Sequence, residues 1–227
     1  MSETAVTWRP DGAAGDEPGG LRERKKRQMR ARLSATATRM FLERGFDDVR
    51  VTEIAEACGV SERTVFNYFP TKESLLLDRF DDTLSALRTA LADPASGPLP
   101  AALGVLDTET RGLQAWLAQQ PDPAAASATL RRFRELSIST AELRAHQHDM
   151  TDRLTTTVAR LLADRAGVTA PEAHIAAVAL VGLWRVQGAS LQRHLGEHHP
   201  PERLGVLVSA DVRLAAALIE PMFRRFG

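Results

Sequence analysis

The chain has 227 residues, 44% of them hydrophobic, which is enough for one large domain or two small ones. Its single cysteine, Cys58, excludes a disulfide framework within the chain and suits a reducing cytoplasm. The formal net charge is zero, yet Leu21 to Phe80 holds 13 Lys+Arg against 9 Asp+Glu and contains all three lysines. That asymmetry describes a small module that meets a polyanion and a larger part that does not.

Residues 1–20 carry Pro10, Gly12, Gly15, Pro18, Gly19 and Gly20 without any apolar period, and read as a disordered tail rather than a signal peptide. A first helix is expected from Leu21. Its start is basic, with Arg22, Arg24, Lys25, Lys26, Arg27, Arg30 and Arg32. Its end is apolar, with Leu33, Ala37, Met40 and Phe41 on one face and Gly45 as the stop. Thr52 is the expected N-cap of a helix of about two turns that turns Ile54, Ala55 and Cys58 inward. Gly59 permits a tight turn, and Ser61 caps the next helix, which ends near Phe69 and Pro70. Thr71 is the expected cap of a longer connecting helix with Leu76, Phe80, Leu84, Leu87 and Leu91 on one side.

Asp93, Pro94, Gly97, Pro98 and Pro100 mark a break. Five more helices are expected beyond it, near 99–120, 123–139, 141–166, 170–196 and 202–223, and no period-2 strand pattern competes with them. The apolar run from Ala173 to Trp184 is too short for a bilayer and reads as a buried helix. The last two helices are apolar over so wide an arc that they must be buried, within one subunit or between two.

The informative stretch is VTEIAEACGVSERTVFNYFPTKESLL, residues 51–76. Two capped short helices joined by a glycine turn make a helix-turn-helix. Ile54, Val60 and Val65 can fix the crossing, which frees the polar side of the second helix for a major groove. Two short core helices without further role would give the same pattern. Three features argue for DNA: the basic first helix, the second helix with Ser61, Arg63, Thr64, Asn67 and Tyr68, and Lys72 just after it.

The segment ERGFDDVRVTEIAEACGVSERTVFNYFPTKESLL resembles the N-terminal domain of TetR-family regulators, over about residues 22–80. FLERGF, the T-x-x-I-A start and the G-V-S-x-x-T-x-[FY]-x-[YH]-F-x-[ST]-K-E block stand in order at family spacing. The resemblance implies an all-α fold: a three-helix DNA-binding domain (21–80), joined by a long helix to a larger effector-binding and dimerisation domain (81–227). It also implies a homodimer that places one recognition helix per subunit on a double-stranded operator. Thr52 matches the family's phosphate-contacting cap, and Glu62, Arg63 and Thr64 stand at the base-reading start of the recognition helix. Asn67 and Tyr68 match positions that touch bases or backbone, and Lys72 matches a phosphate-binding lysine. Phe66 replaces the usual tyrosine, so no hydroxyl can meet a phosphate there. The stretch LRRFRELSISTAELRAHQHDMTDRLTTTVARLL resembles a subgroup with acyl-CoA-like ligands that includes the mycofactocin regulator.

On this reading Trp116, Phe133, Leu136, Met150 and Trp184 are candidate walls of an effector pocket, with His146, Gln147 and Gln187 as polar anchors. Arg131, Arg132 and Arg134 either meet an effector's phosphates or merely solvate one side of a helix. His194, His198 and His199 have a spacing that can place two imidazoles together. Without a Cys or acidic cluster beyond Glu197 they read as a solvated helix end, so no metal and no cofactor is expected. Cys58 reads as a small core residue rather than a redox sensor. No phosphate-binding glycine loop, metal-spaced His and carboxylate pair or nucleophile elbow suggests an enzyme. The alternatives are a constitutive DNA-binding protein without effector, a helical enzyme with catalytic residues gathered from several helices, and a helical protein whose basic first helix lies on anionic lipid.

Overall fold

The computed structural model describes residues 20–77, 80–93, 96–164, 168–197, 199–224 and 226, and all regular elements among them are helical. The expected disordered tail, apart from Gly20, lies outside the described residues, as does Gly167.

Three helices form the N-terminal unit: α1 (Leu21–Arg44), α2 (Val51–Ala57) and α3 (Glu62–Tyr68). Leu33, Ala37 and Phe41 of α1 meet Ile54 and Ala55 of α2, Cys58 at its C-terminal cap and Val65 of α3 in one core, all of them buried. Cys58 sits in that core beside Thr36, its Sγ 3.4 Å from Oγ1, as a small apolar residue should.

Two expectations for this unit need correction. Arg50, not Thr52, is the N-cap of α2, and Glu53 reaches back to accept its N–H at 2.8 Å. The long helix expected from Thr71 is divided. Lys72 is the N-cap of a 3-10 turn, Glu73–Leu75, with Thr71 before it accepting the Ser74 N–H, and α4 runs only from Phe80 to Ala92. The single apolar face drawn across them therefore serves two cores. Leu75 and Leu76 fill the N-terminal one, while Leu87 and Leu91 belong to the larger one. A 3.6-residue period continued across the junction because both pieces happen to be amphipathic.

The larger unit consists of α5 (Pro98–Ala118), α6 (Pro123–Ser139), α7 (Ala141–Ala163), α8 (Ala170–Gly196) and α9 (Pro201–Phe223). Pro at the first helical position starts α5, α6 and α9, where its missing N–H has no partner to lose. The main core collects Leu87 and Leu91 with residues of α5, α7, α8 and α9. At Gly205 of α9 the end of the Gln114 side chain of α5 occupies the place a Cβ would take, so a larger residue there has to push that side chain aside. At 27 residues α8 is long and apolar enough to cross a bilayer, which the shorter run Ala173–Trp184 did not suggest. Its Ala173, Ala176, Ala177, Leu180, Val181 and Leu183 are nevertheless buried in the protein core.

Outside that core α8 and α9 leave an apolar face uncovered. Ile175 and Val178 of α8 are 56% and 49% exposed, and Val206, Leu214 and Leu218 of α9 are 69%, 70% and 84% exposed. Val206, Leu214, Leu218 and Met222 recur at multiples of four residues, which makes one stripe along α9. Val212, on the same helix, is 4% exposed and belongs to the main core.

Candidate nucleic-acid interface

The crossing of α2 and α3 is built as the sequence predicts. Gly59 takes φ +63°, a left-handed conformation that favours glycine, and Val60 N–H bonds to Ala55 O at 3.0 Å across the turn. Ser61 Oγ accepts the Thr64 N–H at 3.1 Å and stands 2.8 Å from its hydroxyl. This cap fixes where α3 begins. With Val65 and Phe69 buried, Glu62, Arg63, Phe66 and Asn67 are left exposed on α3. Their i, i+1, i+4, i+5 spacing makes one outward face of polar groups with one aromatic ring.

Thr52 is exposed at the start of α2, and Ser61 is exposed at the start of α3. Arg22, Arg24, Lys25, Lys26 and Arg27 are all exposed on the first turns of α1. Arg30 differs from them. Its Nη1 donates to Tyr68 O at 2.6 Å, and its guanidinium lies 4.4 Å over the Phe69 ring. It clamps the end of α3 to α1, a structural role the charge pattern concealed. Tyr68 is half-buried and packs against the same core. Arg44 pairs with Glu53 at 2.8 Å and holds that carboxyl below its usual range.

Lys72 is placed less simply than its motif implies. Its Nζ donates to Phe46 O at 2.6 Å and stands 4.3 Å over the Phe46 ring and 5.6 Å over that of Phe41. Burial pushes its ammonium below the usual lysine range. In the free chain Lys72 thus ties the 3-10 turn to the loop after α1. Only the aromatic pair of Phe41 on α1 and Phe46 in that loop could have announced this from sequence.

The expected effector residues are not gathered into one place. Leu136 packs on the N-terminal core. Trp116 packs with Leu113, Leu117, Leu130 and Leu195 in a third cluster between α5, α6, α8 and α9, and Phe133 touches both that cluster and the N-terminal core. Trp184 donates its indole N–H to Glu109 at 3.0 Å, and Glu109 also accepts from Thr83 at 2.6 Å. Gln187, 7% exposed, donates to Leu106 O and Thr110 Oγ1. His146, Gln147 and Met150 are half-buried on α7. A groove of about 950 Å³ lies between α4 and α5, with Thr83, Ala86, Thr89, Gly104 and Glu109 in its walls and none of the eight expected residues.

The three arginines of α6 have three different situations. Arg131 pairs with Glu135 at 2.7 Å on the surface. Arg132 reaches α1 and donates to Leu42 O at 2.8 Å. Arg134 lies inside the α6–α8 seam, where its Nη2 donates to Gly188 O at 2.6 Å. Its Nε is buried with no hydrogen-bond partner among the described residues, and the same holds for Oε1 of Gln192, one turn along α8. Burial alone moves this guanidinium below its ordinary range, and no described carboxylate compensates it.

A capped glycine-turn helix pair that presents a polar helix face beside an exposed basic helix defines a helix-turn-helix DNA-binding protein. Comparison with known proteins agrees. The profile of the bacterial regulatory proteins of the tetR family matches residues 33–78. The HTH-type transcriptional regulator TcmR of Streptomyces glaucescens is 32% identical over 176 residues, which cover 73% of each chain. The putative mycofactocin biosynthesis transcriptional regulator MftR of Mycobacterium tuberculosis is 36% identical over 59 residues, 26% of this chain and 30% of that one. A putative TetR-family regulator from Syntrophomonas wolfei shares the fold at a TM-score of 0.51 and 15% identity, covering 84% of this chain and 96% of that one. The chain belongs to the TetR family of transcriptional regulators.

Proposed function

We propose that the protein is an effector-responsive repressor that acts in the cytoplasm as a homodimer on an inverted-repeat operator. The single observation that carries this reading is the exposed face of Glu62, Arg63, Phe66 and Asn67, set by the Ser61 cap and flanked by the basic start of α1. Glu62, Arg63, Thr64 and Asn67 face base edges. Thr52, Ser61, Tyr68, Arg24, Lys25 and Lys26 meet phosphate, and Lys72 adds its charge from the packed position described above. The dimer is supported by the apolar stripe of α9 and its neighbours on α8, too extensive for a surface left in water.

The effector is an amphipathic molecule with an anionic group, such as an acyl thioester. Support comes from Arg134, since a buried guanidinium without a counter-charge costs several kcal/mol unless an anion meets it. The apolar body would lie along Trp116 and Phe133. Met150, His146 and Gln147, half-buried on α7, would border it, whereas Trp184 and Gln187 direct their hydrogen bonds to α5.

A physical route joins that seam to the DNA-binding unit. Leu143 of α7 is fully buried in the N-terminal core together with Phe133 and Leu136 of α6, and Arg132 holds the α1 carbonyl of Leu42. Displacement of α6 by a ligand must therefore shift the helix-turn-helix. A tenfold loss of operator affinity needs only about 1.4 kcal/mol of coupling, and DNA must weaken effector binding by the same factor.

Nuclease protection of the intergenic DNA beside the gene tests the proposal. Two half-sites related by a two-fold axis, on one face of the duplex, are expected. A single asymmetric half-site at saturation, or no protected sequence, would overturn it.

A further inference from the structure

The end of α8 carries a cluster that the regulator reading does not use. His194 is 8% exposed and wedged against α9. Its Nε2 stands 3.2 Å from Asp211 Oδ2, an oxygen that also accepts from Ser190 Oγ at 2.6 Å and lies 3.4 Å from the Arg193 guanidinium. Its other nitrogen, Nδ1, is 2.8 Å from Oε2 of Glu197. His199, beyond the helix end, brings Nε2 to the same Glu197 oxygen at 2.8 Å. The two rings are tilted by 46° with centroids 5.9 Å apart, so they close on one carboxylate oxygen from two sides.

Sequence alone makes this stretch a solvated helix end, with His194 and His198 as the only pair at helical spacing. His194 is instead buried. The groups that converge with it are Glu197 and His199, which become neighbours only because the chain turns after Gly196. We propose that His194, Glu197 and His199 form a binding site for a zinc-type divalent cation that clamps the α8–α9 turn, with Asp211 as the positioning residue of His194.

The donor set is two imidazole nitrogens and one carboxylate oxygen, all within 4.8 Å of one another. Such a set suits zinc and leaves a fourth, open position for water. Tetrahedral zinc about 2.0–2.1 Å from each ligand holds ligand atoms roughly 3.4 Å apart. Glu197 therefore has to withdraw by about half an ångström, which its half-exposed side chain permits, and the two imidazole nitrogens, within 4.8 Å of each other, close on the ion. Asp211 supplies what bare surface histidines lack. With the cation on Nδ1, the Nε2–H of His194 is left for Asp211, which is itself held by Ser190. A carboxylate behind a ligating histidine orients the ring and raises its basicity.

The test uses the full-length chain without a purification tag, stripped with chelator and titrated with zinc chloride against a chromophoric competitor. One zinc per chain, bound at micromolar affinity or tighter, is expected. His199→Ala and Glu197→Gln should each weaken it at least tenfold, and Asp211→Asn by about 10–100-fold. His148→Ala, an exposed histidine on α7, should bind as the wild type does. Zinc should also raise the Tm of the wild type by a few degrees, and that of His199→Ala by less. Wild-type binding weaker than about 100 µM, or equal affinity in the wild type and the His199 and Glu197 variants, would overturn the proposal; circular dichroism confirms that the variants fold.

Discussion

Leu218→Arg is expected to convert the protein to a soluble monomer and to remove most of its operator affinity. Leu218 is 84% exposed on α9, so a guanidinium there costs the isolated subunit nothing. Across a two-fold interface the same change appears twice. Two buried leucines are lost, each worth about 1.5–3 kcal/mol, and two charges are forced against an apolar stripe. The dimer should weaken by at least about 4 kcal/mol, roughly a thousandfold in its dissociation constant. The operator then loses the advantage of two half-sites held together, which is about a hundredfold or more. Sedimentation at micromolar concentration reads the first effect and titration of the protected duplex the second. A Leu218→Arg protein that stays dimeric places the interface elsewhere. Val212 is not an equivalent probe, because it is buried in its own subunit and its change would unfold the core.

Arg134→Met should separate ligand response from folding. A buried arginine replaced by an apolar side chain of similar volume usually leaves stability unchanged or higher, because the desolvation cost disappears. The Tm of the free protein should therefore hold or rise. Effector affinity should fall about 10–100-fold, the value of one or two charge-assisted hydrogen bonds at about 1.5–3 kcal/mol. Release of preformed operator complex by fatty acyl-CoAs of graded chain length gives the readout. Equal release by the variant and the wild type would remove Arg134 from the site. A destabilised variant would mean that the bond to Gly188 O holds the α6–α8 seam together.

Most of the helical plan is legible in the sequence, because it rests on local signals. The expected ranges 123–139 and 170–196 coincide with α6 and α8, whose limits are written in Asp122, Pro123, Thr140, Thr169 and Pro171. The Ser61 cap, Gly59 and the outward face of α3 are legible for the same reason. Features set by tertiary neighbours are hidden. No local pattern distinguishes Arg30 from Arg27, yet only Arg30 meets the Phe69 ring when α1 crosses α3. Three arginines in four positions look alike in sequence, but Arg131 faces water, Arg132 another helix and Arg134 the interior. Trp184 and Gln187 resemble pocket groups because large or polar residues stand out on an apolar helix. Their hydrogen bonds go to Glu109, Thr110 and the Leu106 carbonyl, which lie 75 to 81 residues away.

The central claim, that α3 reads sequence while α1 holds phosphate, is tested most directly by salt-resolved binding. Affinities of the wild type, Arg63→Ala and Lys25→Ala are measured on the protected operator and on a scrambled duplex across a range of salt. Arg63→Ala should lose about 1–3 kcal/mol on the operator, and little on the scrambled duplex, with its preference relaxed at one position of each half-site. Lys25→Ala should weaken both duplexes alike and lower the salt slope by about one for each phosphate no longer neutralised. An Arg63→Ala protein that keeps its full preference for the operator would contradict the placement of α3 in the major groove.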